Sequence, residues 1–286
     1  MAANPVVAGA RYVGCCLVLV AAAGARPALA NDDCRGDWIC VNAVDQGGNV
    51  ELRARNLQDY PLTYTLRVRA HHFDVTGPTT VTRTLAPRET APVMTLNRAG
   101  RYDDERYRYT FEWTVGDMDA EHDDDYLYAL PYASGHSYRV IQGYGSRFSH
   151  TGLEAFAVDF DMPEGTAVHA ARAGVVARVE DSHSVGCWRD GCGRYANYIV
   201  VLHDDGTTGE YYHLQYRGAL VRVGDSVSRG QKIALSGNTG HTTMPHLHFA
   251  VYRATEWGNT QSIPVRFRAA DGTVTRPRRG ALYEAT

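Results

Sequence analysis

Two histidines separated by one apolar residue, in Pro245-His246-Leu247-His248-Phe249, constrain the fold of this chain most strongly. In a β-strand successive side chains point to opposite faces, so His246 and His248 project from the same side. Leu247 and Phe249 then point to the other side, which suits a buried core. Zinc-binding histidines on a helix lie four residues apart instead. The pattern therefore predicts a site built on a β-sheet, where two neighbouring imidazoles can supply one metal ligand and one catalytic base.

The first 30 residues have the pattern of a secretory signal peptide. Arg11 precedes an apolar run over residues 12–25, and Ala28-Leu29-Ala30 is a small-residue cleavage site. The run is shorter than the roughly 20 residues of a membrane span, which disfavours a permanent anchor. Cys15 and Cys16 stand at the start of the run rather than after it, which disfavours a lipoprotein. We predict export to the periplasm or the medium, with no stable membrane span after cleavage.

Four cysteines follow the predicted cleavage site and fall into two close pairs, Cys34 with Cys40 and Cys187 with Cys192. Disulfides are favoured for a chain exported to an oxidising compartment. A four-cysteine zinc site is the alternative, but neither pair has the two-residue spacing usual for one. The second disulfide would make the short loop between its cysteines stiff.

Composition and patterning indicate two mainly β domains. The 286 residues carry 29 Lys+Arg against 32 Asp+Glu, so no basic excess points to nucleic acid. Period-two alternation fills residues 49–116 and is clearest where Tyr107, Tyr109, Phe111 and Trp113 alternate with polar residues. This predicts an immunoglobulin-like β-sandwich. The aromatic stripe is better explained as a core face than as a sugar-binding platform.

The remaining chain also reads as β-structure, because turn signals recur regularly from Tyr132 onward and no long amphipathic helix interrupts them. An acidic cluster at residues 117–125 favours a solvated linker over a calcium loop, since it lacks the glycine and terminal glutamate of an EF-hand. The predicted division, in chain order, is signal peptide 1–30, sandwich 31–118, linker 119–131, catalytic domain 132–270 and C-terminal tail 271–286.

A series of short motifs in the second half carries the chemistry. In order, they are His150-Thr151-Gly152, Val158-Asp159-Phe160, Tyr211-Tyr212-His213-Leu214, Gly224-Asp225-x-Val227, Gly237-Asn238-Thr239-Gly240 and Pro245-His246-Leu247-His248. In kind, order and spacing, residues 132–265 resemble the catalytic domain of the lysostaphin-type (β-lytic) zinc metalloendopeptidases, which cut peptidoglycan peptides. The resemblance implies their duplicated-hybrid-motif fold, a mainly antiparallel β-sheet.

The resemblance also implies roles for five residues. His150, Asp159 and His248 would bind one Zn²⁺ per catalytic domain, and His213 and His246 would be catalytic, with the division of roles between these two left open. Three N/O ligands leave zinc a fourth position, where a water has its pKa lowered to about 7. A neutral imidazole can take that water's proton, and an N–H donor can hold the developing oxyanion.

Two features depart from the family pattern. Asp159 follows His150 by nine residues where four are usual, and the added residues 153–157 are expected to form a small bulge or hairpin. This makes His136 the alternative first ligand. Met244 stands where the family usually has glycine, and we expect it to narrow the floor of the cleft.

The sequence therefore predicts a zinc endopeptidase that hydrolyses peptide cross-links or stem peptides of peptidoglycan through a zinc-activated water. The main alternative is a non-catalytic scaffold that binds the cell wall and activates other hydrolases. A wall-binding module, with the sandwich as the working part, is a third possibility. A biotinyl or lipoyl carrier is disfavoured because Lys232, the only lysine, lies at the start of an apolar strand. The sequence leaves open which bond is cut, a D,D cross-link or a glycine-rich bridge, and whether the target is the cell's own wall, a foreign wall or another protein. It also leaves open the oligomeric state and any latency that the sandwich imposes.

Overall fold

The computed structural model describes residues 33–286 and consists almost entirely of β-strands. The predicted signal peptide lies outside the described residues. The chain divides into two compact units, one of residues 33–118 with Thr255–Asn259 and one of Asp119–Ala254 with Thr260–Thr286. No helix within residues 33–286 has the length and apolar character needed to cross a bilayer. The predicted all-β class is confirmed, whereas the finer domain boundaries stay predictions.

The first unit contains two antiparallel sheets. Their strands are β1 (Asp33–Arg35), β2 (Ile39–Asp45), β3 (Asn49–Asn56), β4 (Leu62–His71), β5 (Phe73–Val75), β6 (Thr80–Leu85), β7 (Thr90–Arg98) and β8 (Arg106–Val115). One sheet has the order β1-β2-β3-β7-β5 and the other β6-β4-β8. The hydroxyl of Tyr109 on β8 donates to the carbonyl of Val41 on β2, so the two sheets meet. Tyr107, Tyr109 and Phe111 are buried, which supports the core interpretation of the aromatic stripe.

The second unit is built around a nine-stranded sheet with the order β18-β13-β15-β16-β21-β11-β10-β25, to which β22 adds by pairing with β21. Three smaller sheets, β12-β19-β17, β24-β23-β9 and β14-β20, complete it. The strands are β9 (Leu127–Ala129), β10 (Ser137–Gln142), β11 (Val158–Phe160), β12 (Ala167–His169), β13 (Gly174–Glu180), β14 (Gly186–Cys187), β15 (Tyr198–Leu202), β16 (Thr208–Tyr212), β17 (Leu214–Ala219), β18 (Ser226–Val227), β19 (Lys232–Ser236), β20 (Gly240–His241), β21 (Leu247–Ala254), β22 (Thr260–Ile263), β23 (Arg266–Ala269), β24 (Gly272–Val274) and β25 (Leu282–Glu284). Short 3-10 turns lie at Gly152–Glu154, Cys192–Tyr195 and Glu256–Gly258.

The core of the second unit lies on one side of β21. Leu247 and Phe249 are fully buried, as their alternation with the two histidines predicts. The ring of Phe249 packs against Tyr211 and Phe267, at centroid distances of 5.0 and 6.0 Å. This packing anchors the core side of β21, and the strand thereby supports the histidines on its other side.

Both predicted disulfides are present. Cys34–Cys40 joins paired positions of β1 and β2, and Cys187–Cys192 closes a loop beside β14. The second disulfide carries the exposed ring of Trp188 on its loop.

Candidate metal centre and cleft

Neighbouring strands bring the site together by their pairing register. Asp159 on β11 lies opposite His248 on β21, and His248 lies opposite Tyr212 on β16. On its other edge Asp159 pairs with Gln142 of β10, whose side-chain amide donates to Asp159 Oδ2 at 2.6 Å. Directly opposed residues of antiparallel strands project from the same face. The sheet therefore places these side chains in one row.

His150, Asp159 and His248 form a buried cluster that could hold a metal ion, with one ligand atom from each lying within 4.8 Å of the others. Asp159 Oδ1 is 3.2 Å from His150 Nε2 and 2.9 Å from His248 Nδ1. His150 Nε2 is buried and has no hydrogen-bond partner among the described residues. Leaving such an atom unpaired costs about 1–3 kcal/mol. A cation shared with Asp159 would satisfy this nitrogen, so the three residues fit a metal ion.

The longer His150–Asp159 spacing is accommodated by a tight turn and not by the expected bulge or hairpin. The 3-10 turn Gly152–Glu154 follows His150 directly, and the amide of Ala157 donates to the carbonyl of Glu154. The chain thereby returns to β11 within the added residues. The alternative ligand His136 is exposed and lies outside the cluster.

The ring orientations of His150 and His248 agree with metal binding. His150 Nδ1 faces the carbonyl of Gly143 at 3.3 Å, and because a carbonyl only accepts, Nδ1 carries the proton and Nε2 is left free. In His248 the roles are reversed, since Nε2 lies 3.2 Å from the hydroxyl of Tyr252 while Nδ1 faces Asp159. Each imidazole therefore presents its available nitrogen to the Asp159 carboxylate.

His213 and His246 lie beside this cluster, with ring centroids 4.5 Å apart. Their Nδ1 atoms donate to the carbonyls of Thr239 and Met244, at 2.7 and 2.8 Å, which leaves both Nε2 atoms free. His213 directly follows β16 and has φ of 64°, a left-handed conformation that turns its ring away from the path of the strand. Both residues line the cleft described below.

The surroundings of the site favour an ionised Asp159 and a neutral His213. Burial would raise the pKa of Asp159, but the rings of His150, His246 and His248 lower it well below its ordinary range, so the carboxylate is ionised. Burial, with the neighbouring His246 and His248, lowers the pKa of His213, which is therefore a neutral base.

The surroundings of His248 attract positive charge. Burial alone would lower its pKa, but the hydrogen-bonded carboxylate of Asp159 and the nearby carboxylate of Glu154 raise the pKa to about 10. A proton and a metal ion therefore compete for Nδ1, as is usual where a ligand must be deprotonated to bind.

A cleft of about 220 Å³ opens over these residues. Three stacked rings line it, with centroids 5.1 Å apart for Phe148 and Trp188 and 4.1 Å apart for Trp188 and His241. Met244 also lines the cleft, as does Arg279, which lies in the predicted C-terminal tail. The segment that carries Arg279 is anchored to β10, because the amide of Gly280 donates to the carbonyl of Val140.

Several residues near the site were missed by sequence reasoning. They are Gln142, Phe148, Glu154, Trp188, Tyr252 and Arg279. Gln142, Phe148 and Glu154 stand close in sequence to predicted ligands, but none has a spacing that marks a ligand. Only the pairing of distant strands shows which of them approach the histidines.

A second group of potential ligand atoms lies in the first unit, at His71, His72 and Asp104. Asp104 contacts His72 Nδ1 at 2.7 Å and His71 Nε2 at 3.2 Å. The side chains of His71 and Asp104 are about half exposed, so water solvates them. The buried cluster in the second unit is the stronger candidate metal centre.

Comparison with known proteins finds one family model that overlaps most of this site. Residues 154–263 match the model described as Peptidase family M23. Peptidoglycan DD-endopeptidase ShyA of Vibrio cholerae is 42% identical over 91 residues, which are 32% of this chain and 18% of ShyA. Glycyl-glycine endopeptidase ALE-1 of Staphylococcus capitis is 33% identical over 138 residues, 48% of this chain and 35% of ALE-1.

Among solved structures, the antimicrobial peptidase lysostaphin from Staphylococcus simulans is similar at a TM-score of 0.33 and 32% identity, over 44% of this chain and 47% of that one. The chain spans only about a fifth to a third of the length of the two curated relatives. The family resemblance seen in the motifs is confirmed for the second unit.

Proposed function

We propose, from the premise that residues 154–263 form a peptidase family M23 domain, that this protein is a zinc-dependent endopeptidase of peptidoglycan. The observation that carries the proposal is the buried His150, Asp159 and His248 cluster with two further histidines beside it. A scaffold without activity would have no need to retain all five side chains in this arrangement.

His150, Asp159 and His248 would hold the zinc ion. Two imidazole nitrogens and one carboxylate oxygen are donors that zinc accepts in catalytic sites. A zinc ion bound there would supply Lewis acidity to the scissile carbonyl and lower the pKa of water to about 7. The ionised Asp159 supplies the negative charge that makes cation binding favourable.

His213 and His246 would move protons and hold charge. A neutral imidazole with a free Nε2 can accept the proton of the attacking water and pass it to the leaving amine. The other ring, once protonated, can donate to the oxyanion that develops on the scissile carbonyl. Since both Nε2 atoms are free and both rings line the cleft, we assign the two roles jointly.

Peptidoglycan peptides are the proposed substrate, in the periplasm or outside the cell. ShyA is named for D,D bonds and ALE-1 for glycyl-glycine bonds, so both bond types are candidates. The signal-peptide pattern of residues 1–30 agrees with an exported wall hydrolase. We propose that the first unit positions or restrains the second on the wall.

Digestion of purified sacculi tests the proposal. We expect the purified protein to contain one zinc ion per chain and to release soluble fragments whose masses identify the cut bond. Protein that binds no zinc and releases nothing would refute the enzyme and favour the scaffold.

A further inference from the structure

We infer that Tyr252, which is buried, and Glu154, which is partly buried, form a hydrogen-bond chain that positions His248 for metal binding. Glu154, one of the added residues between His150 and Asp159, is the last member of this row of hydrogen bonds. The inference rests on the proposed function, because it takes His248 as a zinc ligand, and it assigns positioning roles to two residues outside the ligand set.

The geometry of the chain is continuous. Tyr252 lies four residues after His248 on β21, so both side chains project from the same face. Its hydroxyl is 3.2 Å from His248 Nε2 and 2.5 Å from Glu154 Oε2. Tyr252 and His248 are 2% and 3% exposed, so water is not a ready substitute for either partner.

The direction of the hydrogen bonds indicates which imidazole nitrogen faces a hydrogen-bond acceptor. The Tyr252 hydroxyl donates its hydrogen to Glu154 Oε2. The Tyr252 oxygen is then left to accept from His248 Nε2–H. A neutral His248 with its proton on Nε2 presents the lone pair of Nδ1 to the side where Asp159 and His150 lie. Such outer partners orient a ligating imidazole and raise its basicity.

The turn that carries Glu154 is firmly held. The amide of Glu154 donates to the carbonyl of Thr151, and the amide of Phe156 donates to the hydroxyl of Ser262 on β22, the strand beside β21. The added residues therefore form an ordered support that brings a carboxylate next to Tyr252.

The neighbouring strand offers a matched comparison for a purely structural role. Tyr212 on β16 is buried, and its hydroxyl also donates to a glutamate, Glu210, at 2.5 Å. Tyr212 packs edge-on against His248, but its hydroxyl makes no hydrogen bond to a histidine within the described part of the chain. Tyr252→Phe and Tyr212→Phe thus remove the same group from similar surroundings, and only the first breaks the chain to His248.

Zinc affinity, measured by competition with a chromophoric chelator, tests the inference without relying on turnover. We expect Tyr252→Phe to weaken zinc binding by about 10–100-fold and Tyr212→Phe to change it by less than about twofold. Adding Glu154→Gln to Tyr252→Phe should weaken binding by less than the two separate losses combined, because both changes break the same row of hydrogen bonds.

Equal zinc affinity of the wild type and Tyr252→Phe would overturn the inference while leaving the proposed function intact. Equal losses in Tyr252→Phe and Tyr212→Phe would also overturn it, because they would indicate general damage. If Tyr252→Phe does not fold, Glu154→Gln alone decides, with severalfold weaker binding expected and unchanged binding counting against the inference. A wild-type protein that binds no zinc would refute the proposed function and this inference together.

Discussion

Replacing His248 and His246 by alanine, one at a time, separates metal binding from proton transfer. His248 Nδ1 is one of three clustered ligand atoms, 2.9 Å from Asp159 Oδ1. Four-ligand structural zinc sites bind with about 10–16 kcal/mol, or about 2.5–4 kcal/mol for each ligand. At about 1.4 kcal/mol per tenfold, His248→Ala should weaken zinc binding by about 10²–10³ and abolish hydrolysis.

His246→Ala should behave differently. His246 Nε2 lies 3.9 Å from Asp159 Oδ2 and is outside the ligand cluster, so zinc should be retained. Loss of a proton-transfer group lowers turnover by about 10²–10⁴. The neighbouring His213 remains in place and would account for residual activity.

The assay combines metal analysis after gel filtration with the release of fragments from sacculi. His241→Ala is the control, since His241 lines the cleft against Trp188 but belongs to neither group. Its zinc content should match that of the wild type. An active, zinc-containing His248→Ala protein would refute the ligand assignment, and a zinc-free His246→Ala protein would refute the separation of roles.

Three further predictions follow from the same structure. Removing the metal with a chelator should lower the midpoint temperature of unfolding, and added zinc should restore it, since a ligand at about 1,000 times its Kd stabilises the folded protein by about 4 kcal/mol. An unchanged midpoint temperature would contradict a bound metal. Burial, together with the nearby charge of Arg172, lowers the pKa of His203 from 6.5 to about 3. Between these two pH values the unfolded chain binds more protons than the folded chain, so the folded protein loses stability as the pH falls. Between pH 7 and pH 5 the wild type should lose about 2 kcal/mol more unfolding free energy than His203→Gln, and parallel losses in urea titrations would show that His203 does not contribute. Phe249→Ala should lower the free energy of unfolding by about 3–5 kcal/mol, because it leaves a cavity at a fully buried position beside Tyr211 and Phe267. A loss below about 1 kcal/mol in urea unfolding would show that the neighbouring side chains fill the cavity.

Local spacing predicted those parts of the site that one strand or one loop contains. The alternation of His246 and His248 with Leu247 and Phe249 indicated a sheet with a site on one side and a core on the other, and the structure has this arrangement. The cysteine pairs were predictable for a similar reason, since each closes only a short stretch of chain. The assignment of the five histidine and aspartate roles came from the family resemblance and stays a prediction until the variants are measured.

Residues that act through another strand could not be found in this way. Tyr252 and Glu154 are 98 positions apart and meet only because β21 and the turn after His150 fold against each other. Arg279 reaches the cleft because the end of the chain pairs with β10. Such contacts depend on which strands become neighbours, and the local alternation of apolar and polar residues does not indicate this.

The sequence by itself determined the all-β class, the short disulfide loops and the side of β21 on which its histidines lie, because side-chain alternation and short-range closure are local properties of the chain. Tertiary structure alone decided that Asp159 lies opposite His248 and that His150 turns its free nitrogen toward both. It also decided that Tyr252 and Glu154 lie behind His248. Antiparallel pairing brings together strands that are remote in the sequence. It also buries the imidazole nitrogens of the site, and a buried nitrogen without a hydrogen-bond partner or ligand costs free energy of folding.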